Sequence, residues 1–312
     1  MNMLKLILAN VVVCTVLCFF GQSVCCSNDS NQSGLDGIVV CGGDKVYIID
    51  EKTSDNTNVN IVWQWQASEA QSQLPNDYRK LIALDECKPV DNNTKLLLTG
   101  GNGLLLLERK TKKCLFFAYV PAVHSADLLP DNKIVAALSI HPNREKGNSI
   151  EVYDIRQPGK VLFKDALHSG HGAVWISERQ RFYALGFDEL REYSLKNWNT
   201  PSPELKLERS WKIPVESGHD LFCVSKNELL VSGHEGVCSF NIEQEKFTPF
   251  KPLQSVPNVK SVNYIPETGK LLYTKAEESW WTHNIYLENP NKKITLPDLN
   301  IYKVRMIKYF EQ

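Results

Sequence analysis

From residue 37 to the end, the chain consists of short apolar runs that come in sets of four, and this repetition restricts the fold more than any other feature. The sets open at residues 88, 124, 171, 219, 260 and 303, at spacings of 36, 47, 48, 41 and 43 residues. One set reads Lys95–Gly100, Gly103–Glu108 and Cys114–Tyr119 after the run around Lys88. The next reads Val123–Leu129, Ile134–Leu138, Ser149–Tyr153 and Val161–Phe163. Gly, Asn, Asp and Pro separate the runs, as turns require. A period near 40 with four strands per repeat predicts a β-propeller. The first set has only three runs, Gly37–Asp44, Lys45–Asp50 and Ile61–Trp65, and the last is a single spare one, Tyr302–Ile307. Together they make one further blade. The expected fold is therefore all-β, a six-bladed propeller over residues 37–312, closed by the C-terminal strand joining the N-terminal blade. Closure leaves no long open sheet edge.

The first strand of each blade lines the central channel. Aligning the six first strands places Lys88, His124, His171, His219, Lys260 and Lys303 at one position, a ring of side chains that are cationic or can become so. The tetrapeptides Ser169-Gly-His-Gly172 and Ser217-Gly-His-Asp220 carry two members of it. Three occupants suit such a ring. An anion would be held by Lys88, Lys260 and Lys303 acting as point charges. A divalent metal would use His124, His171 and His219 from consecutive blades. Water alone would suit a merely polar channel. Six facing cations also need counter-charges, which Asp85, Glu86, Asp127 and Asp220 can supply.

The loops between second and third strands emerge on the same face. Those of the last two blades bring His234, Glu235, Lys275, Trp281 and His283 towards the ring, and all five are candidate ligand contacts. Trp280 and Trp281 are adjacent in a charged loop, and Trp281 is expected to offer a flat surface for a sugar ring. The alternative for both is packing between the first and last blades. No P-loop, HExxH helix or GxSxG element occurs.

Lys+Arg 35 against Asp+Glu 36 leaves no charge excess, so no nucleic-acid partner is expected, and a monomer is. Residues 1–25 read as a signal peptide: Lys5, then an apolar core from Leu6 to Phe20, short for a membrane span. Residues 26–36 read as a polar tether. Cys26, after that core, is the candidate lipidation site, with simple cleavage as the alternative. The later cysteines, Cys41, Cys87, Cys114, Cys223 and Cys238, form no CxxC pair and lie mostly in apolar runs, which predicts free thiols.

Val40-Cys-Gly-Gly-Asp44, Gly186-Phe-Asp-Glu-Leu-Arg-Glu-Tyr-Ser194, Ser217-Gly-His-Asp-Leu221, Val259-Lys-Ser-Val-Asn263 and Tyr273-Thr-Lys-Ala-Glu-Glu-Ser-Trp-Trp-Thr-His283 resemble an uncharacterised family of exported gut-bacterial propeller proteins. The resemblance runs from about residue 37 to 307 and implies six blades and a bacterial envelope location, periplasmic or anchored to the outer membrane. It brings no activity. Three functions are compatible with these features: binding of a small anionic ligand or acidic saccharide at the channel mouth; lyase or hydrolase chemistry on an acidic sugar, with His171 or His219 as base and Lys or a His-bound divalent metal neutralising the carboxylate; or a protein-interaction scaffold.

Overall fold

The computed structural model describes residues 35–309, apart from 75, 77–82 and 144. The expected signal peptide and the lipidation site at Cys26 lie outside these residues. The described residues form twenty-four strands in six four-stranded antiparallel sheets, with one 3₁₀ turn at Ala67–Gln73. Blade 1 contains β1 (Leu35–Gly42), β2 (Lys45–Asp50) and β3 (Ile61–Gln66). Blade 2 is β4 (Glu86–Val90), β5 (Lys95–Gly100), β6 (Gly103–Glu108) and β7 (Cys114–Tyr119). Blade 3 is β8 (Val123–Leu129), β9 (Lys133–Leu138), β10 (Ser149–Asp154) and β11 (Val161–Ala166). Blade 4 is β12 (Gly172–Ile176), β13 (Arg181–Leu185), β14 (Glu189–Lys196) and β15 (Glu204–Lys212). Blade 5 is β16 (Asp220–Ser225), β17 (Glu228–Ser232), β18 (Val237–Asn241) and β19 (Lys246–Pro249). Blade 6 is β20 (Val259–Ile265), β21 (Lys270–Lys275), β22 (Asn284–Glu288) and β23 (Lys292–Thr295). The last strand, β24 (Val304–Tyr309), pairs with β1 from Leu35↔Tyr309 to Val40↔Val304 and becomes the innermost strand of blade 1. The chain is thus a six-bladed propeller closed by its C-terminal strand.

The second strands carry unbroken apolar runs, such as residues 96–98, 134–138 and 229–231, because both faces of each blade are covered there. In β5, Leu96 and Leu98 pack towards blade 1, while Leu97 packs towards blade 3. In β6, Leu105 and Leu107 face one way and Leu104 and Leu106 the other. The core is accordingly six apolar wedges, one between each pair of neighbouring blades. Each fully buried Leu contributes roughly 1.5–3 kcal/mol relative to exposure. The outer strands have solvent on one side, and β11, β15 and β19 are largely exposed.

Closure is reinforced at the seam between blades 6 and 1. Lys270 of β21 bonds Asp36 at 3.0 Å and Glu51 at 2.9 Å, and Lys308 also pairs with Asp36. The five cysteines are free; Cys41, Cys87 and Cys238 are buried, Cys114 and Cys223 half-buried.

Candidate functional site

The pairing of first with second strands fixes the height of each channel residue. Glu86 lies opposite Thr99, Ser125 opposite Ala137, Gly172 opposite Leu185, Asp220 opposite Ser232 and Ser261 opposite Thr274. These are equivalent places, and Lys303, just before the Val304↔Val40 pair, completes the layer in blade 1. One residue earlier lies the uppermost ring: Asp85, His124, His171, His219, Lys260 and Tyr302. The alignment by charge alone is therefore corrected at two of six places. Lys303 belongs one layer down and Lys88 three, and their places in the ring are taken by Tyr302 and Asp85.

Contacts between blades confirm this register. Asp220 accepts from the Val262 N–H at 2.9 Å and Ser261 from the Val304 N–H at 3.1 Å. Two layers lower, Asp127 accepts from the Trp175 N–H at 3.0 Å and Asn263 from the Met306 N–H at 3.2 Å. In each case a side chain of one blade satisfies the inner-edge N–H of the next blade, one layer below. A buried N–H left without an acceptor would cost about 1–3 kcal/mol.

A shared turn delivers four of the upper-ring residues. Ala122, Ser169, Ser217 and Asn258 each take a positive φ, between 49° and 57°, two residues before His124, His171, His219 and Lys260. His124 and Lys260 also sit where the strand register slips, between Val123 and Ser125 and between Val259 and Ser261. Such bulges re-aim a side chain. Gly172 has no room for a side chain, since a Cβ there would stand 2.5 Å from that of Leu221.

The ring residues touch in sequence. Ring centroids are 4.6 Å apart for His124 and His171, 5.7 Å for His171 and His219, and 4.8 Å for His219 and the exposed His234. Hydrogen-bond partners assign the tautomers. His124 Nδ1 donates to the Ala122 carbonyl at 3.1 Å and His171 Nδ1 to the Ser169 carbonyl at 2.9 Å, so both keep an Nε2 lone pair. His219 Nε2 accepts from Lys260 Nζ at 2.7 Å, which places its proton on Nδ1. That buried Nδ1–H has no partner. Among the described residues, no three His, Cys, Asp or Glu side chains are grouped so as to hold a metal ion, and Lys260 occupies the His219 nitrogen a metal would need.

Burial pushes His124 down to about 4 and His171 well below its ordinary value. Burial and then the neighbouring Lys260 bring His219 to about 2. Neutral imidazoles with such values are weak bases, which weighs against His171 and His219 in a proton-abstracting role. Burial, then Lys303, lowers Lys260 to about 8, and burial raises Asp85 to about 7 despite Lys303. No carboxylate stands within ion-pair distance of Lys260 among the described residues. On its other side the Tyr302 ring centroid lies 6.0 Å away.

The layers below are closed by side chains that reach across the axis. Lys303, fully buried, donates to the His171 carbonyl of the opposite blade at 2.8 Å. It also lies 3.2 Å from Asp220 and 3.6 Å from Glu86. Arg305 reaches up from two layers lower, donating from Nε to Glu86 at 2.8 Å and from both terminal nitrogens to Asp220 at 2.7 and 2.6 Å. Two carboxylates thus meet two cations in a sealed plug. Desolvation would raise both carboxyls, but Arg305 and Lys303 hold Glu86 and Asp220 below the usual carboxylate range. Lys88 donates to the Ala173 carbonyl at 2.6 Å and lies 3.7 Å from Asp127, at the lower mouth. That mouth is a cavity of about 220 Å3 walled by Trp175, Leu221, Phe222 and Met306.

At the upper rim, Trp280 is 54% exposed and stands edge-on to Tyr302 at 5.8 Å. Trp281 packs on His283 at 5.0 Å, and His283 Nδ1 donates to the Leu299 carbonyl. The aromatic side chain at the mouth is therefore Trp280, one residue from the expected one. Lys275 lies over Tyr286 at 5.1 Å, and Glu235 accepts from the Glu216 N–H at 2.6 Å. Of the loop candidates, His234 alone reaches the ring. Tyr302, Asp85 and Trp280 are members that alignment by charge does not find; the strand register of Asp85 relative to Thr99 is the signal that would.

A sequence profile for a family of unknown function, DUF6528, matches residues 5–310. No curated protein matches the chain. Among solved structures, a protein of unknown function from Bacteroides caccae is similar, with 15% identity and a TM-score of 0.55 over 88% of this chain and 99% of that one. A chain of the nidogen/laminin complex gives 11% identity and 0.61 over 89% and 99%. The WD40 propeller domain of Doa1 gives 11% and 0.52 over 86% and 81%. At these identities the likeness is one of fold, and propeller folds commonly serve binding or scaffold roles.

Proposed function

The chain belongs to the DUF6528 family of unknown function, and from its channel we propose that it is an exported protein of the bacterial envelope that binds a small acidic saccharide at the upper mouth. The observation that carries this reading is the pair Lys260 and His219: a buried ammonium with no carboxylate beside it, next to an imidazole N–H with no acceptor. A ligand carboxylate answers both. The neighbouring Nε2 lone pairs of His124 and His171 accept hydroxyl protons, which a sugar supplies and a simple anion does not. Trp280 at the rim offers an apolar face to the sugar ring. Lys303 and Lys88 serve the propeller itself, since Glu86, Asp220 and Asp127 already balance them.

Calorimetric titration of the purified protein with glucuronate and galacturonate, against glucose and galactose, tests the reading. Uronates bind and the neutral sugars bind at least about tenfold more weakly, the scale of one charge-assisted contact. Lys260→Gln abolishes that preference without unfolding the protein. Affinity falls as pH rises through about 8, where the Lys260 ammonium loses its proton. Equal binding of charged and neutral sugars would refute the proposal.

A further inference from the structure

Well away from the channel axis, between blades 4 and 5, the lower face holds a cleft of about 320 Å3. Arg179, Arg181 and Arg209 line it from blade 4, Lys226 and Asn227 from blade 5, with Glu192 at its base. The Glu192 side chain is only 4% exposed, and its Oε2 accepts from the Tyr183 hydroxyl at 2.5 Å. Its other oxygen lies 3.7 Å from Arg181 Nε and 3.9 Å from Arg209 Nε, attractive distances that are too long for direct hydrogen bonds.

The three guanidinium groups are therefore left with donors to give. Arg179 commits one nitrogen to Asn227 at 3.0 Å and also interacts with the Tyr183 hydroxyl, Arg181 commits one to the Gln180 carbonyl at 2.9 Å, and Arg209 one to Glu245 at 2.5 Å. The Arg179 Nε–H is buried and has no acceptor. Each fork carries five N–H groups, so many of the donors around this cleft have no protein partner among the described residues. Four cations line it with three carboxylates, Glu178, Glu192 and Glu243, and a fourth, Glu245, pairs with Arg209 from outside the cleft, so it is unpaired donors rather than excess charge that mark the site. A carboxylate has two oxygens and suits one fork. Three forks approaching from different strands suit a group with three or four oxygens.

We propose that this cleft is a second binding site, independent of the channel mouth, for a tetrahedral oxyanion: a phosphate or sulfate monoester. Arg181 and Arg209 grip its oxygens, Arg179 closes the inner side, and Glu192 holds the forks apart when the site is empty.

Titrating the full protein with inorganic phosphate, sulfate and acetate, followed by calorimetry, tests this. Phosphate or sulfate saturates the protein, and acetate binds at least about tenfold more weakly. The stronger of the two oxyanions identifies the kind of ester. Arg181→Ala and Arg209→Lys each weaken binding by about tenfold; the second keeps the charge on an exposed side chain and removes only the fork. Glu192→Gln strengthens binding several-fold, because the amide oxygen still accepts from Tyr183 while the competing charge is gone. Lys260→Gln leaves this affinity unchanged. The proposal fails if acetate binds as well as the tetrahedral ions, if none of them saturates, or if Arg209→Lys binds like the parent while circular dichroism shows both folded.

Discussion

One residue of strand separates the upper channel ring from the layer beneath it, and the two treat charge in opposite ways. In the lower layer Glu86, Asp220 and Lys303 meet Arg305 with every charge answered and almost no solvent exposure. In the upper ring Lys260 has only a neutral imidazole at its side, and Asp85 is held near the edge of ionisation. Balanced charge of the first kind braces the blades across the axis. Charge left unbalanced at a mouth is available to something that is not protein. A charged residue in a propeller channel therefore indicates function only after its partners have been counted.

The largest expected effect comes from breaking the plug. Arg305→Met leaves two buried carboxylates sharing Lys303 and should cost about 5 kcal/mol of unfolding free energy in urea melts; Lys303→Met should cost about 3. Adding Glu86→Gln to Arg305→Met should recover much of the loss, because the cost lies in the unpaired charge.

The upper ring should respond with the opposite sign. The folded-state value of Asp85, about 7, stands above its ordinary 3.8, so between those values the folded protein holds the extra proton. Its contribution is full below pH 3.8 and falls as pH climbs to 7. Asp85→Asn should therefore stabilise the protein at pH 8 by about 2–3 kcal/mol, with little change at pH 4. Lys260 also disfavours its charged form when folded, at about 8 against 10.5. The unfolded chain binds more protons between those values, so stability rises with pH across that window. Lys260→Met should abolish that rise and give equal or higher stability at pH 7, measured by the same melts. Destabilisation on Lys260→Met would erase the contrast between the layers.

The smallest expected effect is at the rim. Trp280→Ala should leave the melting temperature unchanged and weaken uronate binding by about three- to tenfold, about 1 kcal/mol of stacking, while Trp281→Ala, which removes a packed ring, should lower the melting temperature instead.

The architecture was legible in the sequence because each blade repeats one local pattern, and β2, β5, β6, β7 and β8 coincide with the runs Lys45–Asp50, Lys95–Gly100, Gly103–Glu108, Cys114–Tyr119 and Val123–Leu129. Four ring members were legible: His171 and His219 from the Gly-His turns, His124 and Lys260 from the starts of their strands. Asp85 was not, because the approach to β4 lacks the positive-φ turn found before His124, His171, His219 and Lys260, and Lys88 offered the expected positive charge nearby. The cross-channel pairs were illegible for a different reason. Lys303 and the His171 carbonyl are 132 residues apart, and only ring closure sets their distance. The two tryptophans are adjacent, and the fold of one loop decides which of them faces the mouth. There Glu277 accepts from Thr282, Asn284 and Tyr286.

The closing strand has a consequence for the order in which the protein comes into being. Tyr302, Lys303 and Arg305 lie on or just before β24, the last strand of the ring in chain order, yet they supply one wall of the mouth and both cations of the plug. Until they dock, Glu86 and Asp220 face each other across the axis without a counter-ion, and β1 presents its free edge. A chain whose ring is still open is thus penalised twice, in electrostatics and in backbone pairing, and docking of β24 relieves both. The proposed binding site then exists only in molecules whose ring has already shut, so ligand recognition there would double as a report of closure.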